Sequence, residues 1–215
     1  MGLAPRSGLP LARGCDTLLS MEESGSLARS PELMSAADTG LLVIDVQQKL
    51  IGHIAGGARV VWNCRRLIDG ARLLGLPVAG TEQYPEGLGE TVPELAGRLR
   101  PLPSKRAFSC AGCTEVLDEF RGRDVHKLLV CGIEAHVCVL QTVLDFLAAG
   151  WRIYVAVDAV GSRFDVDLRT ALRRMDSSGA VLTTTEAALF EWCQTSDRPE
   201  FAQISKLVRE SPPAP

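Results

Sequence analysis

One pattern recurs along most of the 215-residue chain: a short apolar run, a turn, and then a segment whose apolar residues follow helical spacing. The first run is residues 41–46 (LLVIDV), and the helical segment after it is residues 58–74. Short continuous apolar runs are typical of strands that are buried on both faces, and their alternation with helices indicates a parallel sheet. The pattern therefore predicts a doubly wound α/β fold, with helices on both faces of a six-stranded parallel sheet.

The remaining elements complete this prediction. The other strands are predicted at 76–81, at a short stretch ending near 105–108, and at 127–131, 152–157 and 180–184. The other helices are predicted at 115–120, 137–149, 165–175, 187–193 and 199–209. We expect the strand order 3-2-1-4-5-6, in which strands one and four flank the point where the order reverses. Ligands of such folds lie there, beyond the carboxyl ends of the strands.

Composition divides the chain into three parts. Residues 1–38 are rich in Gly, Ser, Pro and Ala without sustained periodicity, so we expect a poorly ordered extension, and residues 211–215 (SPPAP) read as a tail. Residues 39–210 form the predicted domain. The net charge of −3 argues against nucleic acid as a partner, and no apolar run reaches membrane-spanning length. Seven cysteines without framework spacing favour reduced thiols and a cytoplasmic location.

The stretch 128–140 (LLVCGIEAHVCVL) holds the first candidate catalytic residue. A buried strand meets Gly132, the chain turns, and Cys138 falls in the first turn of the following helix. Free N–H groups at a helix start favour an anion, so this position predicts a lowered pKa for the Cys138 thiol. The alternative is that Cys138 is one more buried cysteine, since free cysteine is among the most buried residue types.

Two further polar residues fall at predicted strand ends. Asp45 interrupts the apolar run 41–46, and a carboxylate there is costly unless it is paired. Lys105 stands at the end of the third predicted strand. In the expected strand order, both residues approach Cys138 and form an acid, a cation and a thiol suited to hydrolysis. Taken singly, Asp45 could orient backbone at a strand end and Lys105 could be a solvated surface lysine.

Four stretches together resemble a known family. They are LLVIDVQ around Asp45, TEQYPEGLGETVPEL at residues 81–95, SKRAFSC around Lys105, and LLVCGIEAHVCV through Cys138. The chain resembles the isochorismatase-like cysteine hydrolases and, within them, the isochorismatase domain-containing proteins. The resemblance implies a catalytic triad of Asp45, Lys105 and Cys138, a homo-oligomer, and hydrolysis of an amide-like C–N bond of a small molecule through a thioester.

The resemblance also carries expectations about ligands. Nicotinamidases of this family have a histidine-containing metal site after the second strand, where this chain has Glu82, Gln83 and Tyr84. The chain has three histidines in all, without HxH or HxxxH spacing, so we expect no metal site. No dinucleotide or P-loop glycine pattern is present, so we expect no cofactor. Gln83 and Tyr84 are instead the best candidates for substrate contacts, with ordinary loop packing as the alternative.

A thioester route needs an oxyanion hole. The resembling family builds it with a cis peptide bond shortly before the cysteine, which maps here to Ile133–Glu134. We therefore expect this bond to be cis and the N–H groups of Glu134 and Cys138 to converge near the thiol, with the Glu134 side chain turned away from the sulfur.

Three other interpretations remain open at this point. The chain could be a binding or scaffold protein with an intact triad but no turnover, because fold alone does not determine function. Cys110 and Cys113 form a C-A-G-C pair that could act as a thiol redox centre. His136 could serve Cys138 as a base in a Cys–His dyad.

Overall fold

The computed structural model describes residues 1–2 and 28–213. The chain divides into a first unit, Met1–Ser30, and a second unit, Pro31–Pro215. The described helices and strands belong to the second unit. Most of the predicted extension, residues 3–27 including Cys15, lies outside the described residues, as do residues 214–215 of the predicted tail.

Six parallel strands form one sheet in the order 3-2-1-4-5-6, which confirms the predicted fold class and strand order. The strands are β1 (Thr39–Ile44), β2 (Val78–Gln83), β3 (Ser104–Lys105), β4 (Lys127–Ile133), β5 (Arg152–Gly161) and β6 (Val181–Thr183). Strands β1 and β4 are adjacent, and the strand order reverses between them. A ligand site is therefore expected beyond their carboxyl ends.

Helices cover both faces of the sheet. They are α1 (Gln48–Ile51), α2 (Gly57–Leu73), α3 (Pro85–Leu88), α4 (Pro93–Ala96), α5 (Thr114–Arg121), α6 (Leu140–Ala148), α7 (Asp165–Ser177), α8 (Thr185–Cys193) and α9 (Phe201–Val208). Helices α2, α8 and α9 pack on one face, whereas α5, α6 and α7 pack on the other. The sheet thus separates two hydrophobic cores.

Strand β1 shows why these residues form a central strand. Successive side chains point to opposite faces, so Leu41 and Val43 enter the first core while Leu42 and Ile44 enter the second. All six residues of β1 are buried. Burying one such aliphatic side chain contributes roughly 1.5–3 kcal/mol, so apolar residues are favoured at residues 41–44.

Gly132 lets β4 approach β1 closely beside the switch point. Its φ is +118°, and a Cβ at this position would lie 2.1 Å from the Ile44 carbonyl oxygen. Any side chain would therefore separate the two strands. Since Ile44 and Gly132 are register partners, this contact lies one residue before Asp45 and one before Ile133.

The structure moves several predicted boundaries. Strand β5 continues to Gly161, four residues beyond the predicted end, because its final residues pair with Gly132 and Ile133 after an irregularity in the register. The second unit also includes residues 31–38, and Met34 among them is fully buried in the first core. A domain that begins at residue 39 stays a prediction.

Candidate active site

Asp45 is the residue that follows β1, and it is fully buried. Its backbone is left-handed, with a φ of +52°, so the chain turns sharply as it leaves the sheet. Its carboxylate accepts hydrogen bonds from Lys105 Nζ at 2.7 Å, through Oδ2, and from Thr81 Oγ1 at 2.8 Å, through Oδ1. Both oxygens are thus held, which offsets the cost of burying the charge.

Lys105 is the last residue of β3 and is 7% exposed. Besides Asp45, it donates to Gln83 Oε1 at 2.8 Å and to the Phe108 carbonyl at 2.8 Å. Burial by itself lowers the pKa of Lys105, but the charge of Asp45 and the nearby thiols outweigh it and raise the pKa above its usual value. Lys105 is therefore a fixed positive charge at neutral pH.

Cys138 lies in a π-helical turn, Ala135–Val139, which joins β4 to α6, and it is 6% exposed. The expectation of a lowered pKa is wrong. Burial raises the pKa of the Cys138 thiol most strongly, the charge of Asp45 and a hydrogen bond to Asp45 raise it further, and Lys105 only partly opposes them. The resting thiol therefore carries its proton and faces a carboxylate that can accept it.

The structure brings Asp45, Lys105 and Cys138 to one point beyond the carboxyl ends of β1, β3 and β4. Asp45 is paired with Lys105 at 2.7 Å, and its charge acts on the nearby Cys138 thiol and raises the pKa of that thiol. The arrangement can do what a nucleophilic site requires: it offers a thiol, a base beside it, and a cation that holds the base.

The Ile133–Glu134 peptide bond is cis. The Glu134 carboxylate accepts hydrogen bonds from the Arg163 backbone N–H at 3.2 Å and from Arg163 Nε at 3.0 Å. Its side chain is thus engaged by the segment that follows β5. An oxyanion hole formed by the N–H groups of Glu134 and Cys138 stays a prediction.

Gln83 and Tyr84 have different surroundings. The Gln83 side chain is buried, and both of its polar ends are engaged by Lys105 and by the Arg106 carbonyl. Tyr84 is 42% exposed, and the Arg106 guanidinium lies 4.1 Å from the centre of its ring. Their role as substrate contacts stays a prediction, and Tyr84 is the more accessible of the two.

Cys110 begins a short 3-10 helix, Cys110–Gly112, and its thiol lies near Asp45 and Lys105. Its thiol is 3.5 Å from Thr81 Oγ1, and burial raises its pKa to about 12. Burial also raises the pKa of Cys113. A reactive CxxC pair has a lowered thiol pKa, so these values do not favour the redox interpretation.

Two threonines that were not predicted as site residues make contacts with Asp45, Cys110 and Cys138. Thr81 contacts Asp45 and Cys110, while Thr142 Oγ1 accepts from the Cys110 N–H at 3.0 Å and donates to the Cys138 carbonyl at 2.7 Å. The position of Thr81 at the start of TEQYP, on the strand beside β1, was the available signal. Thr142 reads from the sequence as an ordinary helix residue.

His136 has partners other than Cys138. Its Nδ1 is 3.0 Å from Ser162 Oγ, and its Nε2 is 3.9 Å from Asp167 Oδ2. Nδ1 is thus hydrogen-bonded to Ser162 and Nε2 faces Asp167, and neither contact involves Cys138, which does not favour a Cys–His dyad.

The structure describes residues 1–2 and 28–213, and the next two findings, on metal ligands and on membrane-spanning helices, hold for these residues. Within them, no group of three or more His, Cys, Asp or Glu side chains is arranged to hold a metal ion. None of the helices in those ranges has the length and apolar character needed to cross a membrane.

Comparisons with known proteins give a consistent family. The isochorismatase domain model matches residues 39–187. Human isochorismatase domain-containing protein 2 is 43% identical over 176 residues, covering 81% of this chain and 84% of that protein. The solved structure of MAR1 ribonuclease from Caenorhabditis elegans is 40% identical with a TM-score of 0.77, covering 85% of this chain and 95% of the other.

A more distant structure shows the fold alone. The YcaC gene product of Escherichia coli, described as an octameric hydrolase of unknown specificity, is 22% identical with a TM-score of 0.73. The match covers 84% of this chain and 91% of that one.

Proposed function

Because the chain belongs to the isochorismatase family, we propose that it is a cysteine hydrolase that cleaves an amide-like C–N bond of a small molecule. One observation carries the proposal: a buried Asp45 carboxylate, held by Lys105 and Thr81, lies close enough to the Cys138 thiol to raise its pKa. This arrangement supplies a nucleophile together with the base that must remove its proton.

In the proposed reaction, Asp45 takes the Cys138 proton as Sγ attacks the carbonyl carbon of the substrate. The N–H groups of Glu134 and Cys138 would stabilise the resulting oxyanion. Collapse of this intermediate breaks the C–N bond, while Asp45 passes its proton to the leaving amine and a thioester remains on Cys138. Asp45 then takes a proton from water, which attacks the thioester, and the carboxylic acid leaves as the thiol is restored.

The raised pKa of Cys138 agrees with this sequence of proton transfers. A thiol that is neutral at rest needs a base in contact with it, whereas a preformed thiolate does not. Lys105 remains charged throughout and keeps Asp45 oriented. No metal ion or cofactor is required by any of these steps.

The surroundings of the site suggest the kind of substrate and assembly. Cys138 is almost closed from solvent, so we propose a small substrate that enters past Tyr84. The octameric relative supports a homo-oligomer. The six described cysteines are free, which supports a reducing, cytoplasmic location. We propose neither a nucleic acid nor a membrane partner.

A screen of amides, ureas and carbamoyl compounds tests the proposal. We expect turnover of at least one compound by the wild type, and its loss in Cys138→Ala. Cys193→Ala is the matched control, because Cys193 is also buried but lies at the end of α8. Full turnover by Cys138→Ala would contradict the proposal. Binding of compounds without turnover would favour a scaffold instead.

A relative named as a ribonuclease supplies a second candidate, the cleavage of RNA. Two features weigh against it: the net charge of −3 gives no basic surplus for phosphates, and the candidate nucleophile is buried. We therefore expect no cleavage of single-stranded RNA by the wild type beyond that of Cys138→Ala. Cleavage that Cys138→Ala abolishes would overturn this assignment of substrate.

A further inference from the structure

Gln83 ends β2, and its side chain lies between Lys105 and the chain that follows it. Oε1 accepts a hydrogen bond from Lys105 Nζ at 2.8 Å, and Nε2 donates to the Arg106 carbonyl at 2.9 Å. The side chain is buried, so these contacts replace those that water would make. Both polar ends of the Gln83 amide are thus hydrogen-bonded to other groups of the protein.

A second glutamine holds Gln83 in place. Gln47 Oε1 accepts from the Gln83 N–H at 2.8 Å, and Gln47 Nε2 donates to the Gln83 carbonyl at 3.0 Å. Gln47 is itself fully buried, and Nε2 also donates to the Gly89 carbonyl. Buried, satisfied polar networks of this kind are rigid and select one arrangement of their members.

The Lys105 ammonium has three hydrogens and three short partners: Asp45, Gln83 and the Phe108 carbonyl. A lysine ammonium is a compact charge on a flexible stem, so only its partners determine where it lies. Gln83 is the uncharged side chain among these partners. It can therefore orient the ammonium without neutralising its charge, whereas a second carboxylate would neutralise it.

We propose that Gln83 is a positioning residue, which holds the Lys105 ammonium at Asp45 so that the Asp45–Cys138 pair keeps its arrangement. The inference rests on the proposed use of Cys138 as the nucleophile, and it assigns Gln83 a role different from a substrate contact. Gln83 acts through Lys105 and does not touch the reacting atoms.

The consequence can be measured at Cys138. Lys105 opposes the combined effect of burial and Asp45 on the thiol, so it increases the fraction of thiolate. Displacing or neutralising the ammonium should lower that fraction. The thiolate falls about tenfold for each unit by which the pKa rises. A more basic thiolate is also a better nucleophile, by about threefold for each pKa unit. The rate at which Cys138 reacts with an electrophile should therefore fall by about threefold for each unit by which its pKa rises.

The experiment measures the rate of Cys138 alkylation by iodoacetamide between pH 7 and pH 9, followed by the mass of the Cys138 peptide in the full-length protein. Gln83→Met keeps the size of the side chain and removes the acceptor. Gln83→Glu keeps an acceptor and adds a negative charge beside Lys105. Asn63→Leu is the matched control, because Asn63 is a buried amide on α2 with two hydrogen bonds outside the site.

We expect Cys138 to react about threefold more slowly in Gln83→Met and more slowly still in Gln83→Glu, with the wild-type rate in Asn63→Leu. Thermal unfolding of the variants separates this effect from loss of the fold, since Asn63→Leu should also lower the melting temperature. Wild-type or faster alkylation in both Gln83 variants would overturn the proposal, as would equal slowing in Asn63→Leu.

Alkylation does not depend on turnover, so the two proposals can fail separately. If Cys138→Ala keeps full turnover while the Gln83 variants slow alkylation, the proposed function is wrong and the positioning role stands. If Cys138→Ala is inactive while the Gln83 variants alkylate like the wild type, the positioning role is wrong and the function stands.

Discussion

Two lysine–aspartate pairs lie at opposite ends of the strands of the same sheet. Where the strands end, here called the carboxyl edge, Lys105 Nζ is 2.7 Å from Asp45 Oδ2. Where the strands begin, here called the amino edge, Lys127 Nζ is 2.8 Å from Asp38 Oδ2. The distances are nearly equal, yet the surroundings differ. Asp45 is fully buried and lies near the Cys138 thiol, whereas Asp38 is partly exposed and immediately precedes β1.

The two pairs show that an ion pair is defined by its neighbours rather than by its length. Lys127 also donates to the Leu33 carbonyl, so the amino-edge pair ties the segment before β1 to β4. The carboxyl-edge pair instead holds a base against Cys138. The first pair should therefore contribute to stability alone, and the second to both chemistry and stability.

The largest expected effect separates the pairs by turnover. Asp45→Asn removes the proposed base, and we expect turnover of the amide found in the screen to fall by roughly 10²–10⁴-fold. Asp38→Asn should leave turnover within about twofold of the wild type, because no residue of the site contacts Asp38. Initial rates at saturating substrate check both. Comparable losses in the two variants would remove the distinction between the edges.

The next effect concerns the free energy of unfolding. Lys105→Met leaves the Asp45 charge buried without its partner, and we expect a loss of about 3–5 kcal/mol. Lys127→Met leaves Asp38 able to reach water, and we expect about 1 kcal/mol. Urea unfolding at pH 7 measures both. The double variant Asp45→Asn/Lys105→Met should regain stability over Lys105→Met, and failure to regain it would mean that packing, not charge, dominates.

The smallest effect is a dependence on acid. Burial alone would raise the pKa of Asp38, but hydrogen bonds from Lys127 and Thr39 outweigh it and lower the pKa below its usual 3.8. A carboxyl whose pKa is lower in the folded state stabilises the fold above its unfolded pKa, and this stability is lost as the pH falls through the folded value.

We therefore expect wild type to be more stable than Asp38→Asn by about 1 kcal/mol at pH 7, with the difference shrinking as the pH falls below the usual 3.8 and through the lower folded value. Urea unfolding at several pH values checks this. A difference that does not shrink as the solution is acidified would show that the Asp38 charge is not its source.

The sequence predicts much of this architecture because local rules agree with the fold. Continuous apolar runs alternate with helical segments, and Asp45 stands out because a carboxylate inside such a run needs a partner. Cys138 stands out because it follows a predicted strand and a glycine turn and lies in the first turn of a predicted helix. These signals depend on residue type and spacing, which are visible in one dimension.

Other features depend on which residues meet in three dimensions. The rise in the Cys138 pKa follows from burial of the thiol and from the charge of Asp45, which residue spacing does not reveal. The contacts of Thr81 and Gln83 depend on the register of β2 against β1 and β3. Met34 is buried although its surroundings read as an extension, because only the folded core provides its site.

The most direct test of Cys138 as the nucleophile is to trap the intermediate. The wild type is mixed with the amide found in the screen, quenched in acid within the first turnovers, and analysed by intact and peptide mass. We expect Cys138 alone to gain the mass of the acyl group, with no adduct in Cys138→Ala. Turnover by the wild type without any acyl adduct on Cys138, together with turnover by Cys138→Ala, would contradict this role.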